Sequence, residues 1–323
     1  MKKSFKKFSA LLFASSLIFL TACNLSGDGS VIDNSNPGSP DASSTTKNQS
    51  GDGSLIDATD ANVTTVGFKT FTNRKPLGKI SLKAQDPENK KGLSTEEKEH
   101  SFGVAKDGKP HSISIENQEY FDNSGFNAIA YDNKSKQKVL YLTFDCGWEN
   151  GYTSKVLDVL KKEKVRAVFF CTLDHLKAEP ELIARMINEG HVVGNHSASH
   201  ANFSKISRQQ MADEIAECDN YLRENFGYTS KLFRFPEGAY SECALELVSS
   251  LGYKSVFWSL SYADWDVNQQ KGKDYAFEKV TSRLHPGAII LLHSVSPDNA
   301  EAMEDIITYA KQQGYTFKLI TSK

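Results

Sequence analysis

The sequence has no pair of cysteines at Cys-x-x-Cys spacing and only five cysteines in 323 residues. A zinc ribbon or a dithiol redox motif is therefore not indicated, and Cys171 and Cys218 are expected to be small buried fillers. There is also no basic cluster with interleaved aromatic residues, and the net charge is −2, so no nucleic-acid partner is expected. With 39% apolar and 24% charged residues, the composition is that of a globular protein with one large domain and additional segments.

The first apolar run, roughly residues 8–20, is short for a membrane span, which takes about 20 residues. Lysines precede it, and a charged region followed by a short apolar region is typical of an export signal. The run ends in LTAC at residues 20–23, which resembles a bacterial lipobox. We therefore expect residues 1–22 to be a lipoprotein signal peptide and Cys23 to carry a lipid anchor, holding the exported protein on the outer face of the cytoplasmic membrane. The alternative is an ordinary secretory signal with an incidental cysteine.

Residues 23–61 are rich in Ser, Gly, Asp, Asn and Thr and predict a flexible linker. The linker repeats itself, as SGDGSVID at 26–33 and SGDGSLID at 50–57, but it lacks the closing glutamate of a calcium loop, so a duplicated tether is favoured. Residues 62–137 give a mixed pattern, with short strands predicted at 111–115 and 127–131. We interpret them as an N-terminal extension packed on the main domain.

From residue 138 to 323 the pattern changes to alternating strands and helices. Ser207 is expected to begin a long helix, and Thr153 to cap an earlier one. Near-continuous apolar strands between amphipathic helices predict a parallel sheet covered by helices, here an incomplete TIM-like (β/α)7 barrel of the α/β class. In that architecture the active site lies at the carboxyl ends of the strands. The seven predicted strands are 139–144, 167–171, 191–194, 232–235, 254–259, 288–292 and 316–320.

Four short motifs fall at predicted strand ends: TFDCG at 143–147, HSASH at 196–200, RFPEG at 234–238 and LLH at 291–293. A carboxylate at a barrel rim, here Asp145, is a general base or a metal ligand, with a helix N-cap as the structural alternative. His196 and His200 are four residues apart, a spacing that can present two imidazoles to one cation. One end of the barrel is thus expected to carry a hydrolytic site.

Two further residues complete the expected site. Arg234 is either a surface ion-pair partner or, opposite Asp145, the group that keeps the base ionised and oriented. His293 is either a core histidine or a general acid whose protonated form Asp264 would favour by hydrogen bonding to its ring.

These motifs resemble those of the carbohydrate esterase family 4 polysaccharide deacetylases, the NodB homology domain, over roughly residues 138–323. The resemblance implies that Asp145 is the catalytic base and that Arg234 tunes it. It also implies His293 as the catalytic acid with Asp264 behind it, and His196 and His200 as ligands of a divalent metal, with zinc expected. The remaining implied contacts are with substrate: Trp265 and Trp148 lining the pocket, and the backbone N–H of Glu237 holding the oxyanion.

The sequence departs from the family pattern at three positions. Cys146 stands where a second aspartate usually completes the metal site, Phe235 replaces the first proline of the Arg-Pro-Pro motif, and Glu237 stands where an aromatic residue often lies. Cys146 has two interpretations: a thiolate ligand to zinc beside His196 and His200, or a neutral bystander.

Segments at 148–152, 264–265, 268–273, 285–287 and 294–302 are similar to one branch, the N-acetylmuramic acid deacetylases that make muramic δ-lactam in spore-cortex peptidoglycan. That likeness implies a metal-dependent peptidoglycan de-N-acetylase acting on a peptide-stripped glycan strand. Two alternatives remain: an N-acetylglucosamine deacetylase of the vegetative wall, and a non-catalytic wall-binding lipoprotein.

Overall fold

The computed structural model describes residues 70–322. The predicted signal peptide, the lipidation site Cys23 and the linker at 23–61 lie outside the described residues and stay predictions. The described residues belong to one compact unit, which contains both the extension and the deacetylase region. Within them, no helix combines the length and the apolar character that crossing a membrane requires.

The described chain folds into ten short strands and eight α-helices. The strands are β1 Lys98–Glu99, β2 Ala128–Ile129, β3 Val139–Cys146, β4 Val168–Cys171, β5 Val192–Asn195, β6 Leu232–Phe233, β7 Ala239–Tyr240, β8 Lys254–Val256, β9 Ala288–His293 and β10 Thr316–Phe317. The helices are α1 Ser112–Ser124, α2 Thr153–Lys162, α3 Leu173–Ala178, α4 Pro180–Asn188, α5 Arg208–Phe226, α6 Glu242–Ser250, α7 Lys273–Thr281 and α8 Pro297–Gln312.

Eight of the strands form one parallel sheet, in the order β10-β3-β4-β5-β6-β8-β2, with β9 paired to β3. After β8, Leu260 makes an isolated parallel bridge to Ile290 of β9, so the sheet curls back toward its own start. A curled parallel sheet with helices between its strands confirms the predicted incomplete (β/α) barrel. All seven predicted strands are present, and β2 from the extension adds an eighth.

Both faces of the sheet are buried, each in its own apolar cluster. On β3, Leu142, Phe144 and Cys146 pack in the cluster that faces the helices. Because side chains alternate along a strand, Thr143 and Asp145 point to the inner face. This alternation separates the two neighbouring residues Asp145 and Cys146 onto opposite sides of the sheet.

Helix α5 is the long helix expected after Ser207. The Ser207 hydroxyl accepts a hydrogen bond from the Gln210 N–H, and the Gln210 side chain accepts one from the Ser207 N–H. A cap of this kind stabilises a helix by about 1 kcal/mol. Gly227, at φ 57°, ends the helix in the left-handed conformation. Four side chains at helical spacing along α5 are buried: Met211, Ile215, Cys218 and Leu222.

The strand predicted at 111–115 is wrong, because this segment enters helix α1. Its alternation of polar and apolar residues suggested a strand, but the buried side chains are Ser114, Gln118 and Phe121, which recur at helical spacing. Gln118 accepts a hydrogen bond from the Ala130 N–H at 2.7 Å, which ties α1 to the chain after β2.

Helix starts near the barrel rim also differ in detail from prediction. Thr153 is the first residue of α2 rather than its cap, which is Tyr152, and the Thr153 hydroxyl is hydrogen-bonded to Glu149. Helix α3 was not predicted; it follows β4 directly, and Thr172 caps it by accepting from the His175 N–H at 3.3 Å.

Candidate active site

The predicted motifs lie at the carboxyl ends of neighbouring strands. β3 and β9 are in a register that makes Asp145 and His293 direct partners. His196 and Arg234 each come one residue after the paired ends of β5 and β6. Paired residues of adjacent parallel strands face the same side of a sheet, so these side chains meet on the inner face of one rim.

Arg234 is completely buried and holds Asp145 in an ion pair, with 2.7 Å between Nη1 and Oδ1. Its other donors are also engaged: Nε donates to the Val256 carbonyl and Nη2 to the Thr143 hydroxyl, both at 2.9 Å. The guanidinium lies 4.2 Å from the centre of the Phe170 ring. With four hydrogen bonds in all, Arg234 is a fixed partner of Asp145 and not a surface ion-pair residue.

Asp145 is held in its charged form. Burial raises the pKa of its carboxyl, but the charge and hydrogen bond of Arg234, with the neighbouring histidines adding to them, outweigh burial and leave the pKa below its ordinary value. Burial also lowers the pKa of Arg234, although a guanidinium starts so far above neutral that it stays protonated. With Oδ1 engaged by Arg234, Oδ2 is the oxygen of Asp145 that can accept a proton.

His196 presents one ring nitrogen to the pocket. Its Nδ1 lies 2.9 Å from the Arg234 carbonyl oxygen, and because a carbonyl only accepts, Nδ1 carries the proton. The lone pair of Nε2 is thus free, 3.7 Å from Asp145 Oδ2. Burial lowers the pKa of His196 to about 4, so the ring is neutral, as a metal ligand must be. The ring of His200 is adjacent, with 5.0 Å between centroids and 80° between planes.

The loop that carries both histidines is strained and anchored from outside. Ser197 and His200 have φ values of 69° and 58°, a region that costs a residue other than glycine about 1–3 kcal/mol. Glu214 of α5 offsets this cost, because its carboxylate accepts hydrogen bonds from the N–H groups of Ala198 and Ser199 at 2.9 and 2.8 Å. Glu214 was not predicted as a functional residue, because it lies in a helix with no motif of its own.

His293 is paired with a buried carboxylate. Asp264 Oδ1 lies 2.8 Å from Nδ1 of the ring, and Oδ2 accepts from the His293 backbone N–H at 2.8 Å and from Asn299 Nδ2 at 2.5 Å. Burial lowers the pKa of His293, but Asp264 and Asp145 raise it by more, so the net shift is upward. Since Nδ1 is occupied by Asp264, Nε2–H is the proton that the ring can deliver to the pocket.

A pocket of about 680 Å³ joins these groups. Asp145, His196, His200 and His293 line it, together with aromatic side chains and the 3₁₀ turn at Pro236–Gly238. The aromatic lining consists of Phe102, Trp148, Trp258, Tyr262 and Trp265. Trp148 and Trp265 are 50% and 60% exposed, and aromatic rings left this open beside a polar cleft are typical of a ligand-binding surface.

Glu237 also lines the pocket, exposed, with a φ of 57°. The extension completes this wall: β1 pairs antiparallel with β7, and the His100 N–H donates to the Gly238 carbonyl at 3.0 Å, which brings Phe102 to the pocket. The role of the Glu237 N–H toward an oxyanion stays a prediction.

The structure does not bring Cys146 to the histidine pair. Among residues 70–322, no group of three metal-ligating side chains within 4.8 Å of one another contains Cys146 with His196 and His200; Cys146 groups instead with Cys171 and His175. The physical reason is the alternation on β3, which puts the residue after Asp145 on the helix-facing side of the sheet. Zinc ligation by Cys146 in the active site is therefore not supported.

The residues around the histidine pair fit a divalent cation. His196 offers the free lone pair of Nε2, and the His200 ring lies beside it. Asp145 Oδ2 is 3.7 Å from His196 Nε2. The open pocket leaves room for water to complete a coordination shell. Imidazole and carboxylate are donor types that zinc commonly takes, but among residues 70–322 the ligand atoms of Asp145, His196 and His200 do not all lie within 4.8 Å of one another, so a shared ion requires these side chains to move closer together.

Fold and site together define a class: a curled parallel barrel whose rim carries a charged carboxylate, two adjacent imidazoles and a third histidine paired with a buried carboxylate, which are groups suited to hydrolysis. Comparison with known proteins agrees. The polysaccharide deacetylase family model matches residues 132–256, which include Asp145, the histidine pair and Arg234, whereas Asp264 and His293 lie beyond the match.

Individual relatives show which members of this family the chain is similar to. The chain is 49% identical over 191 residues, 59% of this chain and 73% of the relative, to peptidoglycan-N-acetylmuramic acid deacetylase PdaA of Bacillus subtilis. It is 31% identical over 199 residues, 60% of this chain and 71% of the relative, to a peptidoglycan-N-acetylglucosamine deacetylase of Bacillus cereus. The structure of Bacillus subtilis PdaA, described as a family 4 carbohydrate esterase, matches with a TM-score of 0.67 and 42% identity, over 70% of this chain and 96% of that chain.

The chain belongs to the polysaccharide deacetylase family, carbohydrate esterase family 4. It is a peptidoglycan deacetylase, a hydrolase that acts on amide bonds. The family resemblance and the enzyme class predicted from the sequence are thereby confirmed.

Proposed function

We propose that this enzyme removes the acetyl group from N-acetylmuramic acid in peptide-stripped glycan strands, with a divalent metal, zinc, at His196 and His200, as a step in forming the muramic δ-lactam of spore cortex. The observation that carries the proposal is the opposed pair at the rim: Asp145 held charged by Arg234, and His293 held protonated by Asp264. Amide hydrolysis needs both a base for water and an acid for the amine.

The chain's own groups divide the reaction between them. Asp145 Oδ2 accepts a proton from the water that attacks the acetamido carbon. His293 Nε2–H gives its proton to the sugar nitrogen as the C–N bond breaks, leaving acetate and a free amine. The backbone N–H of Glu237 stabilises the negative charge that develops on the carbonyl oxygen. A cation at His196 and His200 would supply Lewis-acid polarisation of that carbonyl.

Substrate binding follows from the pocket walls. Trp148 and Trp265 are exposed, flat and apolar, so they suit the faces of successive sugar rings. The preference for the muramic residue is supported by a relative that is 49% identical to this chain and whose name gives N-acetylmuramic acid as the substrate.

Location is proposed from the sequence. The charged and apolar N-terminal regions followed by LTAC at 20–23 support export and lipidation at Cys23. Removal of the leader lysines leaves an acidic chain, which anionic headgroups would not attract, so the lipid itself would supply the membrane attachment.

An N-acetylglucosamine deacetylase is the alternative, supported by the Bacillus cereus relative. Mass spectrometry of muropeptides after incubating the protein with amidase-treated peptidoglycan separates the two. Loss of acetyl from the muramic residues supports the proposal, and loss from glucosamine residues alone rejects it. The Asp145→Asn variant serves as the matched inactive control; a non-catalytic wall-binding protein would leave both samples fully acetylated.

A further inference from the structure

A second cluster of metal-ligating side chains lies on the other side of the sheet. Cys146 of β3, Cys171 of β4 and His175 of α3 are all buried, and one ligand atom from each lies within 4.8 Å of the other two. Cys146 and Cys171 are direct partners in the register of the two parallel strands. Three separate elements therefore converge on one point, behind the rim that carries Asp145.

His175 is the feature that a simple apolar core does not explain. Its side chain is only 1% exposed, yet neither Nδ1 nor Nε2 has a hydrogen-bond partner among the described residues. Buried polar groups in folded proteins are almost always partnered. Two unpartnered nitrogens beside two thiols indicate a partner that protein atoms do not supply.

The chemistry of the three groups selects the kind of partner. Two sulfurs and one imidazole nitrogen are the donors that thiophilic cations such as Zn²⁺ prefer. In a tetrahedral zinc site two thiolates are separated by about 3.8 Å, given the Zn–S distance of about 2.3 Å. The ligand atoms here lie within 4.8 Å of one another, so only small side-chain adjustments are required to bind the ion. Ser294 Oγ, 3.5 Å from Cys146 Sγ, adds an oxygen donor.

We propose that Cys146, Cys171 and His175 form a structural site for a thiophilic divalent cation, separate from the catalytic pair His196 and His200. Each thiol would lose its proton to solvent as its sulfur binds the ion. The bound ion would tie the ends of β3 and β4 to the start of α3, directly behind Asp145. This proposal does not depend on which sugar the enzyme deacetylates, so it can be tested independently of the proposed muramic acid substrate.

Cobalt(II) is the probe that separates the two sites, because only a thiolate ligand gives sulfur-to-cobalt charge-transfer absorption and the catalytic pair contains no sulfur. The reduced full-length protein, stripped of metal and titrated with Co²⁺, should develop this band to one ion per chain, and Zn²⁺ should bleach it. X-ray absorption of the cobalt form should show two sulfur neighbours. Absence of the band, or of sulfur neighbours, overturns the proposal.

Variants locate the ligands. Cys171→Ser and His175→Gln should each weaken or abolish the band, whereas Cys243→Ser, a matched buried cysteine on α6 outside the cluster, should keep it. If a cluster variant does not fold, the wild-type cobalt spectra still decide the question. A wild-type band that survives in both folded cluster variants would overturn the assignment. So would peptide mapping of the protein, denatured without reductant, that shows Cys146 and Cys171 joined as a disulfide.

Discussion

Asp264→Asn tests whether His293 acts as an acid whose protonation depends on its buried partner. Asp264 makes two 2.8 Å contacts to His293, one to the ring and one to the backbone N–H, and its charge acts without solvent screening because the group is buried. Asparagine keeps the size and can still accept from the backbone, but it removes the negative charge that favours imidazolium.

The size of the effect follows from the lost interaction. A hydrogen bond to a charged group contributes about 1.5–3 kcal/mol, and about 1.4 kcal/mol corresponds to one pKa unit. The pKa of His293, raised in the wild type, should therefore fall by about 1–2 units in the variant. Because the acid works only when protonated, the alkaline limb of the rate profile should move to lower pH by the same amount, with a smaller loss at acidic pH.

The measurement is acetate release from peptide-stripped glycan as a function of pH. Asp266→Asn is the matched control, since that carboxylate accepts from the Asn268 N–H and the Gln269 side chain and makes no recorded contact with His293. An alkaline limb that stays in place in Asp264→Asn, despite a normal fold, would refute the acid role of His293.

Three further outcomes are expected. Asp145→Asn should lower kcat for acetate release by about 10²–10⁴-fold, since it removes the base while keeping the shape; a rate within a factor of two of wild type rejects the assignment. Arg234→Met should lower the free energy of unfolding in urea by about 3–5 kcal/mol, because it leaves the Asp145 charge buried without its partner, and a loss below about 1 kcal/mol would contradict the buried pair. Trp265→Ala should raise KM for long glycan about tenfold, from roughly 1–2 kcal/mol of lost stacking, with kcat nearly unchanged. Phe71→Ala, which removes another exposed aromatic ring that lies outside the pocket, should change neither constant.

The barrel and most of its rim could be predicted from the sequence because the signals are local. Apolar strands can be recognised from their composition. In a parallel barrel the residues that follow the strands all lie at the same end of the barrel. The placement of Asp145, Arg234 and His293 in one site could be predicted from that rule alone. Ser207 could be predicted as the start of a helix because a capping side chain bonds to a backbone N–H only three residues further along the chain.

Other features depend on contacts distant in sequence and could not be predicted in this way. The segment at 111–115 alternates as a strand does, yet the position of Gln118 against Ala130 favours a helix there. Glu214 supports the histidine loop from α5, a helix with no distinguishing pattern. Cys146 follows Asp145 directly and so lies near the active site, but its side chain is on the opposite face of the sheet. Its proximity to His175 depends on helix α3, which was not predicted.

The most direct test of the catalytic site is anomalous diffraction from crystals grown with zinc. A peak is expected within bonding distance, about 2.0–2.1 Å, of a ring nitrogen of His200 and of Nε2 of His196, on the side that faces Asp145 Oδ2. Crystals in which the two imidazoles bind no common ion at saturating zinc, or in which the ion lies on the far side of the rings from Asp145, would contradict the proposed metal-assisted deacetylase.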